Sequence, residues 1–331
     1  MKPAARLPVV AGLAALLAVG AWLAARGTGT DQRNLDAFVT VGGDVAHDAI
    51  HPALDLTRIT SGEEAELGIA IDAEVRRSMP TSDDAGARAY LDHVMRPMAA
   101  NVSRAGIPYI VTLMRSEEVN AFAVPGGRLY VTEGLLRFVE SEAELAAVVG
   151  HEISHVDLRH CVERMQLGLA AKKISPAAGS LARFGYEVML LGFSEEQELA
   201  ADRNGALLAA RAGYDPWQAE TLFGRFARRF EDPGRRATPR DPVRAAAVLI
   251  PDALRRYLAT HPPADLRIES VRSALKANPG LWLRLPRYVG RSNLAARLAK
   301  DEDERRGEWI TRSEVPAAGD GAVAANGKAA E

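Results

Sequence analysis

The chain has 331 residues, of which 47% are hydrophobic and 25% are charged, a composition that excludes a disordered or fibrous protein. Its 41 Lys and Arg residues against 43 Asp and Glu residues leave a net charge of −2, so nucleic-acid binding is not expected, because it needs a clustered basic excess. The single cysteine, Cys161, excludes an intramolecular disulfide and a zinc site built from cysteines.

The N-terminus has the pattern of a targeting segment. Lys2 and Arg6 precede an uncharged run from Leu7 to Ala25, which as a helix would span about 28 Å, close to the hydrocarbon thickness of a bilayer. Because the positive residues come first, we expect the rest of the chain to be exported. Residues 1–30 are predicted to be either a signal anchor in the inner (cytoplasmic) membrane or a cleaved signal peptide, which would release the chain into the periplasm.

Two helices are predicted after a linker or lead-in at 31–60, one from about Glu63 and one over 85–100. Pro80 and its neighbours break the pattern between them. Apolar residues recur at helical spacing in both. These residues are Leu67, Ile69, Ile71 and Val75 in the first helix and Ala89, Leu91, Val94, Met95 and Met98 in the second.

Three short β-rich runs follow, at 108–114, 119–124 and 129–132. Pro125-Gly126-Gly127 separates the last two and favours a tight turn, because Pro pre-sets φ and Gly permits a positive φ. We therefore predict a small antiparallel sheet.

Capping-box spacing marks the next two helices. Ser141 with Glu144 predicts a helix to about His160, and Ser194 with Gln197 predicts a second helix. The apolar stretch 176–193 between them favours a buried or amphipathic hairpin over a membrane-touching loop. Further helical patterns cover 216–230, 241–259 and 265–276. Residues 313–331 are mostly Ala and Gly and predict a disordered tail, which leaves 61–312 as the predicted main domain.

His151-Glu152-Ile153-Ser154-His155 is an HExxH motif on the first of these helices. Residues four apart share a helix face, so His151 and His155 can bind one metal ion. Glu152 lies about 100° around the helix, near enough to reach a water on that ion. His160 lies about 140° from His155 and is predicted to point elsewhere, as a cap at the helix C-terminus.

A zinc site of this kind needs a third protein ligand and one open position. The third ligand can come from Glu198 or Asp202, which lie one turn apart on one face of the second helix. One of them can bind the metal while the other accepts the N–H of a ligating histidine. If loss of Glu198 left the metal in place, Glu195 or Glu196 would have to be considered.

The segments HEISHVDLRH and SEEQELAADRNG together resemble metallopeptidase family 48, which includes the CAAX prenyl proteases, HtpX and the BepA-type enzymes. Two further segments resemble the family: Asn120-Ala121-Phe122-Ala123 before the Pro-Gly-Gly turn, and Thr260-His261-Pro262 with Arg267-Ile268. The resemblance covers roughly 60–275. It is strongest to the compact BepA/Oma-type periplasmic zinc metalloproteases, because a single N-terminal apolar run replaces multiple spans, and the chain after 276 is too short for the tetratricopeptide domain of BepA.

The resemblance implies a mainly helical α+β fold of the gluzincin type, with a small antiparallel sheet and an HExxH helix. It also implies that His151, His155 and Glu198 hold one Zn²⁺ per chain. Glu152 would then be the general base, and Asp202 would orient a histidine.

Substrate binding is implied for an edge strand that contains Asn120, Ala121, Phe122 and Ala123. His261 matches a histidine that reaches the metal in some relatives, and as a catalytic residue here it could either latch the zinc or stabilise the oxyanion. Arg267 is expected to be structural, bonding loop carbonyls, rather than to hold a substrate carbonyl.

These expectations combine into a membrane-anchored or exported zinc metalloendopeptidase that hydrolyses unfolded or misassembled envelope proteins, a quality-control function. Pairing of a substrate with an edge strand gives affinity with little sequence specificity, which suits such substrates. The expected partners are these polypeptides and, through the N-terminal segment, the membrane. The sequence leaves the oligomeric state open.

Two other functions stay open. One is a metal-containing chaperone or adaptor of the same fold with little turnover, which a Glu152→Gln form would separate from an enzyme. The other is a zinc hydrolase of non-peptide amides, which a closed pocket in place of an open edge strand would favour.

Overall fold

A computed structural model describes residues 59–166, 192–230, 262–298 and 308–317. All of these belong to one unit that begins at Ile59. Several predictions lie outside the described residues: the targeting segment, nearly all of the lead-in, most of 176–193, the helix over 241–259, His261 and most of the C-terminal tail.

The described residues are mainly helical, with two small sheets. The helices are α1 Ser61–Ser78, α2 Ala85–Ala99, α3 Glu133–Phe138, α4 Glu142–Asp157, α5 Glu195–Arg211, α6 Gln218–Phe230, α7 Ala264–Ala277 and α8 Arg291–Ala296, and a further helical segment covers 160–166. The strands are β1 Ile110–Met114, β2 Ala121–Val124, β3 Arg128–Thr132, β4 Pro286–Tyr288 and β5 Trp309–Thr311. This confirms the predicted fold class. Among these residues, none of the helices combines the length and the apolar character that a membrane crossing requires.

The N-terminal caps follow the predicted spacing, with one difference. Ser194 and Gln197 form a full capping box at the start of α5. Ser141 accepts the backbone N–H of Glu144 at the start of α4. The Glu144 carboxylate does not return to Ser141, however, because it accepts the N–H of Glu140 at 2.7 Å. It also forms an ion pair with Arg225 of α6, so one contact to a preceding residue and one to another helix replace the return bond of the box.

The predicted amphipathic faces of α1 and α2 are largely right. Leu67, Ile71 and Val75 of α1 are buried, but Ile69 is 58% exposed. In α2 the buried face includes Tyr90, while Ala89 is exposed. The two wrong assignments lie beside the buried stripe, where spacing alone does not define its edge.

The larger sheet has the order β1-β3-β2 and is mixed rather than wholly antiparallel. β2 and β3 form the expected antiparallel hairpin, and Gly126 and Gly127 in its turn have φ of 75° and 80°. β1 pairs with β3 in parallel, so the prediction was wrong for this strand. Four of the five residues of β3 are buried, which explains why β3 takes the centre and leaves β2 at an edge.

Helix α4 lies at the centre of the core. Every one of its residues except Val148 is buried, and it packs against α2, α5, α6 and β2. A Cβ at Gly150 would lie 2.8 Å from the carbonyl oxygen of Gly205 on α5. The two backbones therefore approach closely, and this crossing brings the HExxH residues against α5.

Candidate metal centre

Three buried side chains place one donor atom each within 4.8 Å of one another: His151, His155 and Glu198. The two histidine Nε2 atoms are 3.0 Å apart. Glu198 Oε2 lies 3.4 Å from His151 Nε2, and Glu198 Oε1 lies 3.6 Å from His155 Nε2. The histidines are one turn apart on α4, and Glu198 comes from the first turn of α5, where a carboxylate is favoured by the helix dipole. Two imidazoles and a carboxylate in this arrangement fit a divalent metal ion.

Asp202 supports His151 from the outer side of the ring. Its Oδ1 lies 2.7 Å from His151 Nδ1, so the structure separates the two carboxylates of α5: Glu198 faces the donor cluster and Asp202 faces the outer nitrogen. Burial would raise the pKa of Asp202, but Arg267 and His151 outweigh it and hold that pKa below its usual value. Asp202 is therefore ionised and accepts the Nδ1–H of His151.

Arg267 of α7 donates two hydrogen bonds to the carboxylate of Asp202. Its Nε donates to Oδ2 at 2.8 Å and its Nη2 donates to Oδ1 at 2.7 Å. The guanidinium also lies over the ring of Phe223 at 4.0 Å from the centroid. Arg267 thus has a structural role, as expected, but its partner among the described residues is a carboxylate 65 residues away in sequence rather than a loop carbonyl.

The charges of the cluster favour a bound cation. Burial lowers the pKa of His151, but Asp202 and Glu198 outweigh it and raise that pKa to about 10. Burial raises the pKa of Glu152 to about 7, with Glu198 and Asp202 adding to the shift and His151 and Arg267 opposing it. A pocket that holds a proton on His151 so strongly would hold a metal cation for the same electrostatic reason.

His160 does not cap α4, contrary to prediction. The helix ends at Asp157, and Arg159 has a left-handed φ of 67° before helical structure resumes at residue 160. This break brings His160 Nδ1 to 3.0 Å from His155 Nδ1. The prediction failed because it continued the rotation of an unbroken helix past the break.

Phe193 is a further contact of the cluster that sequence reasoning missed. Its ring stacks on His155, with centroids 3.8 Å apart and an interplanar angle of 15°. The one available signal was its position directly before the Ser194 cap, since the residue before an N-cap is often a hydrophobic packing residue.

The segment expected to bind substrate lies at the edge of the sheet, next to α4. The N–H of Thr132 donates to the carbonyl of Asn120 at 3.0 Å. Because paired residues alternate in an antiparallel ladder, the N–H and C=O groups of Ala121 and Ala123 point away from β3. Phe122 stacks on Tyr130 of the neighbouring strand at 4.6 Å, so its ring covers the sheet.

The HExxH helix, the carboxylate from the following helix and the small sheet together match the site arrangement of metallopeptidases of the HExxH type. The chain belongs to peptidase family M48, whose family model matches residues 86–275. This match covers more than half of the 331 residues and agrees with the resemblance that the motifs indicated.

Curated relatives of the chain include named proteases. The chain is 27% identical over 276 residues to the putative beta-barrel assembly-enhancing protease of Vibrio cholerae, covering 77% of this chain and 53% of the relative. It is 28% identical over 185 residues to the beta-barrel assembly-enhancing protease of Escherichia coli, covering 50% and 38%. It is 30% identical over 205 residues to the mitochondrial metalloendopeptidase OMA1 of Arabidopsis thaliana, covering 59% and 38%. The chain thus spans about half the length of these relatives or less.

Proposed function

We propose that this chain is a zinc-dependent endopeptidase that hydrolyses unfolded or misassembled polypeptides of the cell envelope. The observation that carries the proposal is the buried cluster of His151, His155 and Glu198, with Glu152 on the same helix. Membership of peptidase family M48 supports the reaction class. The relatives named for beta-barrel assembly support the envelope as the place of action.

His151 and His155 would bind the metal through Nε2, and Glu198 through its carboxylate, with one ion per chain. Zinc, when bound, supplies a Lewis acid that polarises the scissile carbonyl and lowers the pKa of a water toward about 7. Asp202 accepts the Nδ1–H of His151 at 2.7 Å, which leaves the Nε2 lone pair of that ring for the metal.

Glu152 would move the proton. Its carboxylate takes a proton from the attacking water and then donates it to the leaving amine nitrogen. Burial raises the pKa of Glu152 to about 7 in the metal-free protein, and a bound dication would lower that pKa and favour the carboxylate form that accepts the proton.

The substrate would lie extended beside β2. Ala121 and Ala123 offer backbone groups on the side away from β3, although the Ala123 carbonyl already accepts the Cys161 thiol at 3.8 Å. Asn120 and Phe122 would contribute to the same surface. Backbone pairing binds many sequences, which favours unfolded chains as substrates. His261 stays a proposed catalytic residue, as oxyanion stabiliser or as latch.

Residues 1–30 are proposed to target or anchor the chain, with 61–312 as the catalytic domain on the periplasmic side of the inner membrane or, after cleavage, in the periplasm. The support is the basic flank and apolar run of the N-terminus. Other relatives carry the name of a mitochondrial enzyme, so this part of the proposal depends on the N-terminal pattern.

Cleavage of a casein-type unfolded protein by the full chain in detergent tests the function. We expect the zinc-loaded wild type to cleave, a chelator to abolish cleavage, and Glu152→Gln to retain zinc while losing about 10²- to 10⁴-fold in rate. Glu66→Gln, which alters an exposed carboxylate of α1, should cleave like the wild type. If the zinc-loaded wild type binds casein without cutting it, the chaperone or adaptor alternative replaces the enzyme.

A further inference from the structure

The two histidines of the metal centre have different partners at their outer nitrogens. His151 Nδ1 contacts a carboxylate oxygen of Asp202 at 2.7 Å. His155 Nδ1 contacts the imidazole Nδ1 of His160 at 3.0 Å. Each histidine thus directs Nε2 toward the donor cluster and Nδ1 toward a buried polar group.

The His155–His160 contact, together with metal binding through Nε2 of His155, determines which ring nitrogens carry protons. Two imidazole nitrogens 3.0 Å apart share one proton, which one ring donates and the other accepts. A neutral His155 that binds metal through Nε2 must have its proton on Nδ1. His155 is therefore the donor, and the His160 Nδ1 lone pair is the acceptor.

We propose that His160 is a positioning residue that fixes the tautomer and ring orientation of His155, an inference that rests on the proposed metal centre. Outer partners of this kind are usually carboxylates or carbonyls, whereas this chain uses a neutral ring. The surroundings explain the choice, because Glu152, Glu198 and Asp202 are already buried around the cluster. A further carboxylate would add a fourth buried negative group, which carries a desolvation cost.

The local fold holds His160 in place. The left-handed Arg159 turns the chain back under α4, and the Arg159 side chain donates to the carbonyl of Ile59 at 3.1 Å. His160 itself is 6% exposed. Phe193 stacks on the face of His155 at 3.8 Å, so that ring is confined at its face by Phe193 and at its outer edge by His160.

Zinc affinity of the full chain, measured by competition with a chromogenic chelator, tests the role of His160. We expect His160→Leu to weaken zinc binding by about 10- to 100-fold. His160→Asn places an amide oxygen near the position of Nδ1 and should stay within a few-fold of the wild type. Val162→Ala removes buried volume from the same helical segment and should lower the thermal midpoint without changing zinc affinity.

Two results would overturn the inference. A purely packing role predicts that Leu is tolerated at least as well as Asn, so equal zinc affinity of the wild type and His160→Leu would exclude the hydrogen bond. A wild type that binds no zinc would overturn the metal centre itself, and with it the role of His160.

A measurement on the wild type does not depend on whether the variants fold. In zinc-loaded protein with ¹⁵N-labelled histidine, the Nδ1 proton of His155 should show scalar coupling to the Nδ1 of His160 across the hydrogen bond. A protected Nδ1 proton without that coupling, or protonation of His155 on Nε2, would contradict the proposal.

Discussion

Single residues of the metal centre act in chains of contacts that run outward from the donor atoms. Arg267 holds Asp202, Asp202 holds His151, and His151 faces Glu198. All four side chains in this chain of contacts are buried, and each contact joins a carboxylate to a guanidinium or to an imidazole nitrogen. Removing one of these side chains therefore takes a hydrogen-bond or ion-pair partner away from a buried polar neighbour, which costs free energy.

Asp202→Asn should weaken zinc binding by about 10- to 100-fold, because Asp202 accepts from both His151 and Arg267, and an amide with one acceptor oxygen must turn its NH₂ toward one of these donors. Isothermal titration with zinc would measure the change. Asp265→Asn, an exposed aspartate of α7, is the matched control. Unchanged affinity in Asp202→Asn would show that the contact does not orient His151.

Arg267→Met should lower the free energy of unfolding by up to about 3–5 kcal/mol, because the buried Asp202 carboxylate loses the guanidinium that donates two of its hydrogen bonds and keeps only His151. Urea unfolding of the metal-free protein would measure this loss. Arg203→Met is the comparison, since Arg203 also links α5 to α7 but donates to a hydroxyl, that of Ser270, at 2.9 Å. A loss no larger than that of Arg203→Met would contradict the prediction.

At the scale of whole elements, the crossing of α4 and α5 determines whether the donors meet. Gly150 and Gly205 face each other at this crossing, and a Cβ at Gly205 would lie 2.6 Å from the backbone nitrogen of His151. Because neither glycine has a side chain, the two helix backbones approach closely enough for Glu198 on α5 to reach the histidines on α4. The HExxH helix by itself presents two of the three donors.

Gly205→Ala should lower the free energy of unfolding by about 1–3 kcal/mol and weaken zinc binding, because the added methyl group pushes α5 away from α4. Gly224→Ala is a control in the interior of α6, where the nearest atom that a new Cβ would meet among the described residues is the flexible end of Arg228 at 3.4 Å. That variant should be neutral or gain up to about 1 kcal/mol from helix propensity. Guanidinium unfolding and chelator competition would measure both variants, and equal behaviour would contradict the close-packing argument.

For the molecule as a whole, a bound metal would link the central α4 to α5. A ligand that binds only the folded state stabilises it in proportion to the logarithm of its concentration over Kd. The buried carboxylates of the centre are also relieved of mutual repulsion when a cation is present. Global stability and metal occupancy should therefore be coupled.

Zinc at about 1,000 times its Kd should stabilise the wild type by about 4 kcal/mol relative to the chelated form. Differential scanning calorimetry with and without chelator would measure this. Glu198→Ala should retain no zinc and show the same thermal midpoint in both conditions. Retention of zinc by Glu198→Ala would shift the third-ligand assignment to Glu195 or Glu196.

The features that the sequence predicted correctly depend on contacts between residues that are close together in the chain. The helix starts at Ser141 and Ser194 depend on a serine hydroxyl and the backbone N–H three residues later, and the pairing of His151 with His155 depends on one turn of one helix. Such contacts close within a few residues, so spacing is enough to predict them. The Pro-Gly-Gly turn and its hairpin belong to the same group.

The sequence by itself thus determined the mainly helical fold class and the HExxH helix with the candidate donors His151 and His155, and it narrowed the third donor to one of two carboxylates on the next helix. The family resemblance indicated Glu198 for this donor, and the tertiary structure brings Glu198 rather than Asp202 to face the two histidines. Tertiary structure alone decided that β3 lies between β1 and β2, that Arg267 holds Asp202, and that His160 turns back to His155. These outcomes depend on which separate elements pack together and on a break in one helix. Neither leaves a periodic signal along the chain, because the energy that selects them comes from burial shared between distant segments.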